Sequence, residues 1–233
     1  MRRRTQVTLL ATTAGLLSIV GLACKGGGTA DHAAREIARD DIAMMALAAA
    51  DFGAEYASFE AGEENGFATA EQRAENSIDP ENEAADLKRF GWEAGYEEMY
   101  YNRAAGGADS GVWIVGSGTN LFGTVDGAAG YFDESVTEVK EDVGKTKEGI
   151  ILDAAEQFGV QLADEAAGVH FHVVSQDDPA SQYWATAVVF RRGRFIASVS
   201  IFSFDELNLE DVLKGLAGKL DEQIVSVIDS DRP

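Results

Sequence analysis

Two histidines at alternate positions, His170 and His172 in the run "GVHFHVV", are the sharpest chemical lead in this 233-residue chain. Alternate residues of a strand point to one face, so both imidazoles could meet a single metal ion. Asp177, Asp178 or a distant glutamate would have to supply a third ligand. The competing account is structural: two half-exposed rings on a polar face, with Val169, Phe171 and Val173 turned to the core. Two histidines alone do not define a site, so the expectation is no metal and no other cofactor. A metal-binding or metal-dependent hydrolytic role through His170 and His172 stands as the alternative function.

Arg191, Arg192 and Arg194 form the one basic cluster outside the amino-terminal segment. On a hairpin tip, guanidinium groups bind carboxylate or phosphate in bidentate fashion, which makes these three the candidate ligand-binding residues. They could equally be a solvated turn that discourages edge-to-edge strand pairing. The stretch from Gly116 to Leu121, "GSGTNL", begins like a dinucleotide loop but carries leucine at the third glycine position. It also lies in a hairpin context, where glycines serve close packing or a bulge. The doublets Glu97-Glu98 and Glu63-Glu64 offer acid–base chemistry. Adjacent strand residues point to opposite faces, however, so neither doublet is a dyad by itself. No G-x-S-x-G, H-E-x-x-H or EF-hand pattern occurs, and the chain is not expected to be an enzyme. Trp92, Trp113, Trp184, Tyr96, Tyr100 and Tyr101 lie in or beside strands. They read as packing, or as the lining of a small apolar ligand site.

Arg2, Arg3 and Arg4 precede an uncharged run from Val7 to Ala23, the pattern of a secretory signal. Thr8, Thr12, Thr13, Gly15 and Gly21 weaken that run as a permanent membrane span. The four residues Gly21-Leu22-Ala23-Cys24 resemble the lipobox of bacterial lipoproteins, with Gly21 where leucine is usual. The resemblance implies diacylglyceryl transfer to the Cys24 thiol and cleavage just before it. Ordinary cleavage with a free cysteine and an uncleaved helical anchor are the alternatives. At about 0.8 kcal/mol per buried methylene, two or three acyl chains would hold the protein on a membrane. Export is expected by the general secretory route, although Arg3-Arg4 also hints at the twin-arginine one.

Loss of residues 1–23 removes three arginines and no acid, taking the net charge from −21 to −24. Such a surface argues against nucleic acid, whose phosphates need basic partners. It also disfavours electrostatic docking on anionic lipid, so membrane attachment falls to the acyl chains on Cys24. With one cysteine there is no intrachain disulfide and no cysteine zinc site.

The expected organisation is a signal peptide over 1–23, an acylated Cys24 and flexible tether over 24–32, and one extracytoplasmic domain over 33–233. Ala33 to Ala50 reads as helix, Phe52 to Phe59 as a strand, and Ala84 to Phe90 as a helix ending at Gly91. Two units of similar plan follow. Strands over 95–103 and 112–121, joined by the turn 104–110, lead to a helix with Val125, Ala128, Phe132, Val136 and Val139 at three-and-four spacing. A further helix is read over 147–158. Strands over 168–175 and 183–190, joined by the turn Asp177-Asp178-Pro179, are followed by 195–204 and a closing helix capped by Asn208. The fold class is α+β: an antiparallel sheet of hairpins with helices on one face, the repeated plan suggesting a weak internal duplication.

Three stretches, "AADLKRFGWEAGYEEMYYN" (84–102), "GVWIVGSGTNLFGTVDGAAGYF" (111–132) and "VVFRRGRFIASVS" (188–200), resemble a group of uncharacterised bacterial exported proteins. The resemblance implies one exported α+β domain and supplies no active site. The function expected is therefore that of a lipid-anchored protein on the extracytoplasmic face of the cell membrane. Its role is non-catalytic: binding a small ligand or another envelope protein.

Overall fold

Alternation in the closing strand, Phe195–Ser203, decides the architecture. Phe195, Ala197, Val199 and Ile201 join one apolar cluster, Ile196 and Phe202 join another, and all nine residues of the strand are buried. A strand buried on both faces requires cover on both. The expectation of helices on a single face is thereby overturned.

The computed structural model describes residues 37 and 39–230, apart from 78, 104–110, 148 and 179–180. The signal, Cys24, the tether and the turn 104–110 lie outside the described residues, as does Pro179 of the second turn. In chain order the helices are α1 (Arg39–Ala43), α2 (Ala49–Phe52), α3 (Ala70–Glu75), α4 (Pro80–Phe90), α5 (Val125–Asp142) and α6 (Glu210–Asp229). The strands are β1 (Glu60–Ala61), β2 (Gly66–Ala68), β3 (Trp92–Tyr101), β4 (Val112–Phe122), β5 (Thr146–Lys147), β6 (Ile150–Phe158), β7 (Glu165–Ser175), β8 (Gln182–Arg192) and β9 (Phe195–Ser203). They form one sheet in the order β1-β3-β4-β9-β8-β7-β6-β5, with β2 also on the outer edge of β3. Every pairing described is antiparallel.

Helix α5 covers one face through Ala128, Phe132, Val136 and Val139, flanked by α4. Helix α6 covers the other through Leu213, Leu216, Leu220 and Ile224, while Val212 is exposed. The result is three layers, helix–sheet–helix. This arrangement also counts against the suggested duplication. A two-fold axis exchanging the antiparallel neighbours β4 and β9 would lie normal to the sheet and leave both following helices on one face.

The local signals are clear where turn chemistry is strong. Asp79 accepts from the Asn82 amide at 3.2 Å, Pro80 opens α4, and Gly91 closes it at φ 72°. Asn208 accepts from the Glu210 amide at 3.4 Å, one place before the cap position Leu209.

Three expected elements differ. Residues 147–158 are the short strand β5 and the strand β6, not a helix. A bulge between Leu152 and Ala154 lets Ile150, Leu152 and Ala155 share a face, a spacing that imitates helical periodicity. Phe52 to Phe59 is the end of α2 and a 3-10 turn over Ala54–Tyr56, with Tyr56 and Phe59 packed edge to face. The alanine-rich helix is broken between α1 and α2. There the Leu47 amide donates to Ser117 Oγ at 2.8 Å, and Thr119 Oγ1 donates to the Met45 carbonyl at 2.8 Å. Tertiary hydrogen bonds to β4 have overridden helix propensity.

Candidate ligand pocket

The missing side chains of Gly116 and Gly118 in β4 create the space that positions the chemistry of β3. Glu97 pairs in register with Gly118, and Met99 with Gly116. A Cβ on Gly118 would stand 3.2 Å from Glu97 Cγ, and one on Gly116 would stand 2.1 Å from Met99 Sδ. Both side chains therefore lie flat over β4 on the α5 side. The glycines serve close approach, as the hairpin context implied. Glu98 points the other way, accepting from Asn65 Nδ2 at 2.7 Å and from the Tyr96 hydroxyl at 2.5 Å.

Glu97 meets a charge that the sequence did not single out. Arg73 of α3, 5 % exposed, donates from Nη1 to Glu97 Oε1 at 2.9 Å, and its Nε stands 3.4 Å from Glu83 Oε1. Tyr131 of α5 donates its hydroxyl to the same Glu83 oxygen at 2.7 Å. Burial works against the guanidinium charge, but Tyr131, Glu83 and Glu97 outweigh it and hold the Arg73 pKa above its ordinary value. Burial pushes the Glu97 carboxyl up, with Arg73 opposing and Glu64 adding to the rise. An arginine shared by two buried carboxylates is costly to desolvate and costlier to break.

A pocket of about 230 Å³ opens on this group at the β2–β3 edge, lined by residues including Glu64, Ala68, Gln72, Glu75, Asn76, Glu97, Met99 and Tyr101. Gly66, the cross-strand partner of Glu97, would direct a Cβ into open space. The Tyr101 hydroxyl donates to Glu64, and burial followed by that bond raises the phenol pKa. Behind the Arg73–Glu97 pair lies a second space of about 10 Å³, bounded by Arg73, Asn120, Tyr131, Ser135 and Ser198. That is the room one ordered water needs. Asn120 Oδ1 accepts from Trp92 Nε1 at 2.9 Å. Asn120, Ser135 and Ser198, each over nine-tenths buried, are the polar residues that line this space beside Arg73 and Tyr131. Far along the sheet order, Lys147 of β5 donates to the carbonyls of Glu75 and Ser77 after α3.

The residues singled out from sequence fall elsewhere, apart from Glu64, Glu97 and Tyr101. His170 and His172 share a face as expected, and both rings stack on Trp184, at centroid distances of 5.0 and 4.1 Å. His172 Nδ1 meets Asp153 at 2.9 Å and its Nε2 meets Gln182 at 3.0 Å, so both nitrogens are engaged. His170 Nδ1 meets Thr186 at 2.7 Å. Burial lowers the His170 pKa, while Glu206, Glu156 and Glu210 oppose. Among the described residues no group of three metal-ligating side chains converges.

The arginines are spent on neighbours. Arg191 pairs with Glu165 at 2.7 Å and Asp164 at 3.2 Å, and Arg192 forms a two-pronged pair with Asp221. Arg194 reaches the Phe122 and Gly123 carbonyls at 3.4 Å. Of the remaining aromatics, Trp113 stacks on Phe204 at 5.4 Å. What sequence reasoning missed was Arg73, and the available signal was its isolation: it is the sole basic residue between Glu60 and Glu83.

The class that the architecture defines is a single antiparallel sheet between two helical layers. No protein-family model matches the chain, and no curated protein does. Among solved structures it is similar to the crystal structure of the extracellular domain of PknH from Mycobacterium tuberculosis. The TM-score is 0.51 at 12 % identity, over 84 % of this chain and 98 % of that one. At that identity the likeness is one of fold.

Proposed function

We propose that the chain is an extracytoplasmic, lipid-anchored domain of the cell envelope that binds a small ligand and catalyses nothing. The observation that carries the reading is the pocket over Glu97, a concave site with a buried titratable floor. Glu97 is engaged by Arg73 and therefore suits recognition better than proton transfer. Placement outside the cytoplasm draws on the signal-like residues 1–23, on Cys24, and on likeness in fold to a domain that is extracellular in its own protein. Among the described residues no helix is long and apolar enough to cross a membrane; attachment through acyl chains on Cys24 rests on the lipobox-like residues Gly21-Leu22-Ala23-Cys24.

Two measurements test this. Intact mass of membrane-extracted protein should show residues 1–23 absent and acyl mass on Cys24, both abolished by Cys24→Ala; unmodified soluble wild type would end the anchor. A thermal-shift screen of polar metabolites should yield a stabilising class that fails on Ala68→Trp, which fills the pocket from the edge strand. If every stabiliser acts equally on both proteins, the pocket is not the ligand site.

A further inference from the structure

The two edges of the sheet are finished differently. Outside β3, the short strands β1 and β2 pair with residues 100–101 and 95–97. Outside β6, β5 pairs only with Ile150 and Ile151, and Leu152 exchanges backbone bonds with Gly144 and Lys145. Across 153–158 no backbone group is bonded on the side away from β7, among the described residues. At about 3.3 Å per residue this open edge runs for about 20 Å. We propose that it is a docking site for a basic, extended segment of another protein, which adds to the sheet as a further strand beside β6. Unpaired backbone donors and acceptors then supply the affinity, and the charge along the edge selects the partner.

Neither β6 nor β7 carries a lysine or arginine, while Asp153 and Glu156 are exposed on β6. Glu156 stands opposite His170, on which Glu206 and Glu210 also act, so these carboxylates gather along one side of the edge. Lys214 answers Glu210 at 3.2 Å and His172 meets Asp153 at 2.9 Å, but Glu156 and Glu206 have no cationic partner among the described residues. Ala154 and Ala155 present small side chains that leave an incoming strand unobstructed. The same charges turn away the occupant an open edge most readily invites, a second copy of this chain. In two copies paired antiparallel about a two-fold axis over 153–156, Asp153 of each stands opposite Glu156 of the other. Like charges so placed destabilise a strand pair, and chains of net charge −21 repel one another before they meet. Lysines or arginines on an incoming strand instead pair across to Asp153 and Glu156.

The test uses the full chain in neutral detergent at neutral pH. Its probe is an amidated hexapeptide of alternating lysine and valine with an amino-terminal fluorophore, followed by anisotropy. Two controls accompany it: the glutamate–valine analogue, and the lysine peptide with every amide N-methylated, which keeps the charge but cannot form a ladder. The lysine peptide should bind about tenfold or more tighter than either control, with affinity falling as salt rises. Hydrogen exchange of amides within 153–158 should slow on binding, while exchange in β2 stays as it was. Glu156→Lys, an exposed change, should weaken the lysine peptide severalfold and leave the melting temperature unchanged. Equal binding of the methylated peptide would mean attraction by charge alone and would overturn strand addition. Equal binding of the glutamate peptide, protection confined to other segments, or no binding at all would overturn it as well. Protection of 153–158 that grows with protein concentration in the absence of peptide would give the edge to a second copy and end the proposal.

Discussion

The two faces of one sheet are filled differently. Beneath α6, Val188, Phe190, Val199 and Ile201 meet Leu213, Leu216, Leu220 and Ile224 in an apolar layer; its buried polar side chains include Ser117, Thr119 and Thr186, with the Arg192–Asp221 pair at the margin. Beneath α5, an apolar layer of comparable extent is interrupted by Arg73, Glu83, Glu97, Asn120, Ser135, Ser198 and Ser200, all of them buried or nearly so. Burial of hydrocarbon stabilises at about 25 cal/mol per Å² whichever way a residue faces. Buried ions and amides contribute little net and must be matched atom by atom. The α6 side therefore holds the fold together, and the α5 side carries groups whose presence stability alone does not explain.

Arg73→Met should have the largest effect, because it strands Glu83 and Glu97 without their cation. A loss of about 3–5 kcal/mol is expected in urea unfolding at neutral pH. The sign of its pH dependence follows from burial, which already raises the Glu97 pKa above 4.5 while Arg73 restrains it. A carboxyl with a raised folded-state pKa contributes stability below its unfolded value, and that contribution disappears as pH rises through the folded one. The deficit of Arg73→Met should accordingly shrink as the solution is acidified toward pH 4.5, and adding Glu97→Gln should recover part of it at neutral pH. A deficit independent of pH would mean that Arg73 acts through packing, and the contrast between the faces would lose its electrostatic half.

Leu220→Ala probes the dry face at a side chain with no exposure. About 2–5 kcal/mol should be lost, with no dependence on pH between acid and neutral and no change in ligand response. Equal pH sensitivity of the two variants would break the division of labour.

The smallest effect is expected away from both interiors. His170→Gln with His172→Gln removes stacking on Trp184 and three side-chain hydrogen bonds from a partly exposed strand face. The change in stability should stay within roughly 1 kcal/mol. Because burial lowers the His170 pKa, its contribution is present above pH 6.5 and lost as pH falls below. The pair of changes should flatten that weak acid sensitivity. A saturable, histidine-dependent stabilisation by zinc would instead restore the metal reading.

The hairpins were readable because the strands β3–β4 and β7–β9 are rich in aromatic and β-branched residues and the turns between them carry glycine, proline or aspartate. The end of helix α4 was readable because Gly91 announces it; its start is Pro80 behind the cap Asp79, four residues ahead of the expected Ala84. Strand β6 was not, since one bulge converts period two into something near period three and a half. The side on which a helix lies was hidden as well. Ser198 and Ser200 make one face of β9 look wet, but those serines are interior. Of the pocket, Glu64, Glu97 and Tyr101 were visible as residues without a relation. Their meeting depends on α3 returning 24 positions later in space against β3, through Arg73 and Glu97. No local pattern encodes that encounter.

The break between α1 and α2 has a mechanical consequence. Its backbone is stapled to β4 through Ser117 and Thr119, and to α6 through the Gln223 amide, which donates to the Met44 and Ala46 carbonyls at 2.6 and 3.2 Å. A pull applied at the amino end therefore loads this four-point clasp before it reaches any strand pairing. Tension would be divided between the centre of the sheet and the last helix, so the clasp behaves as a strain relief just behind the first described helix.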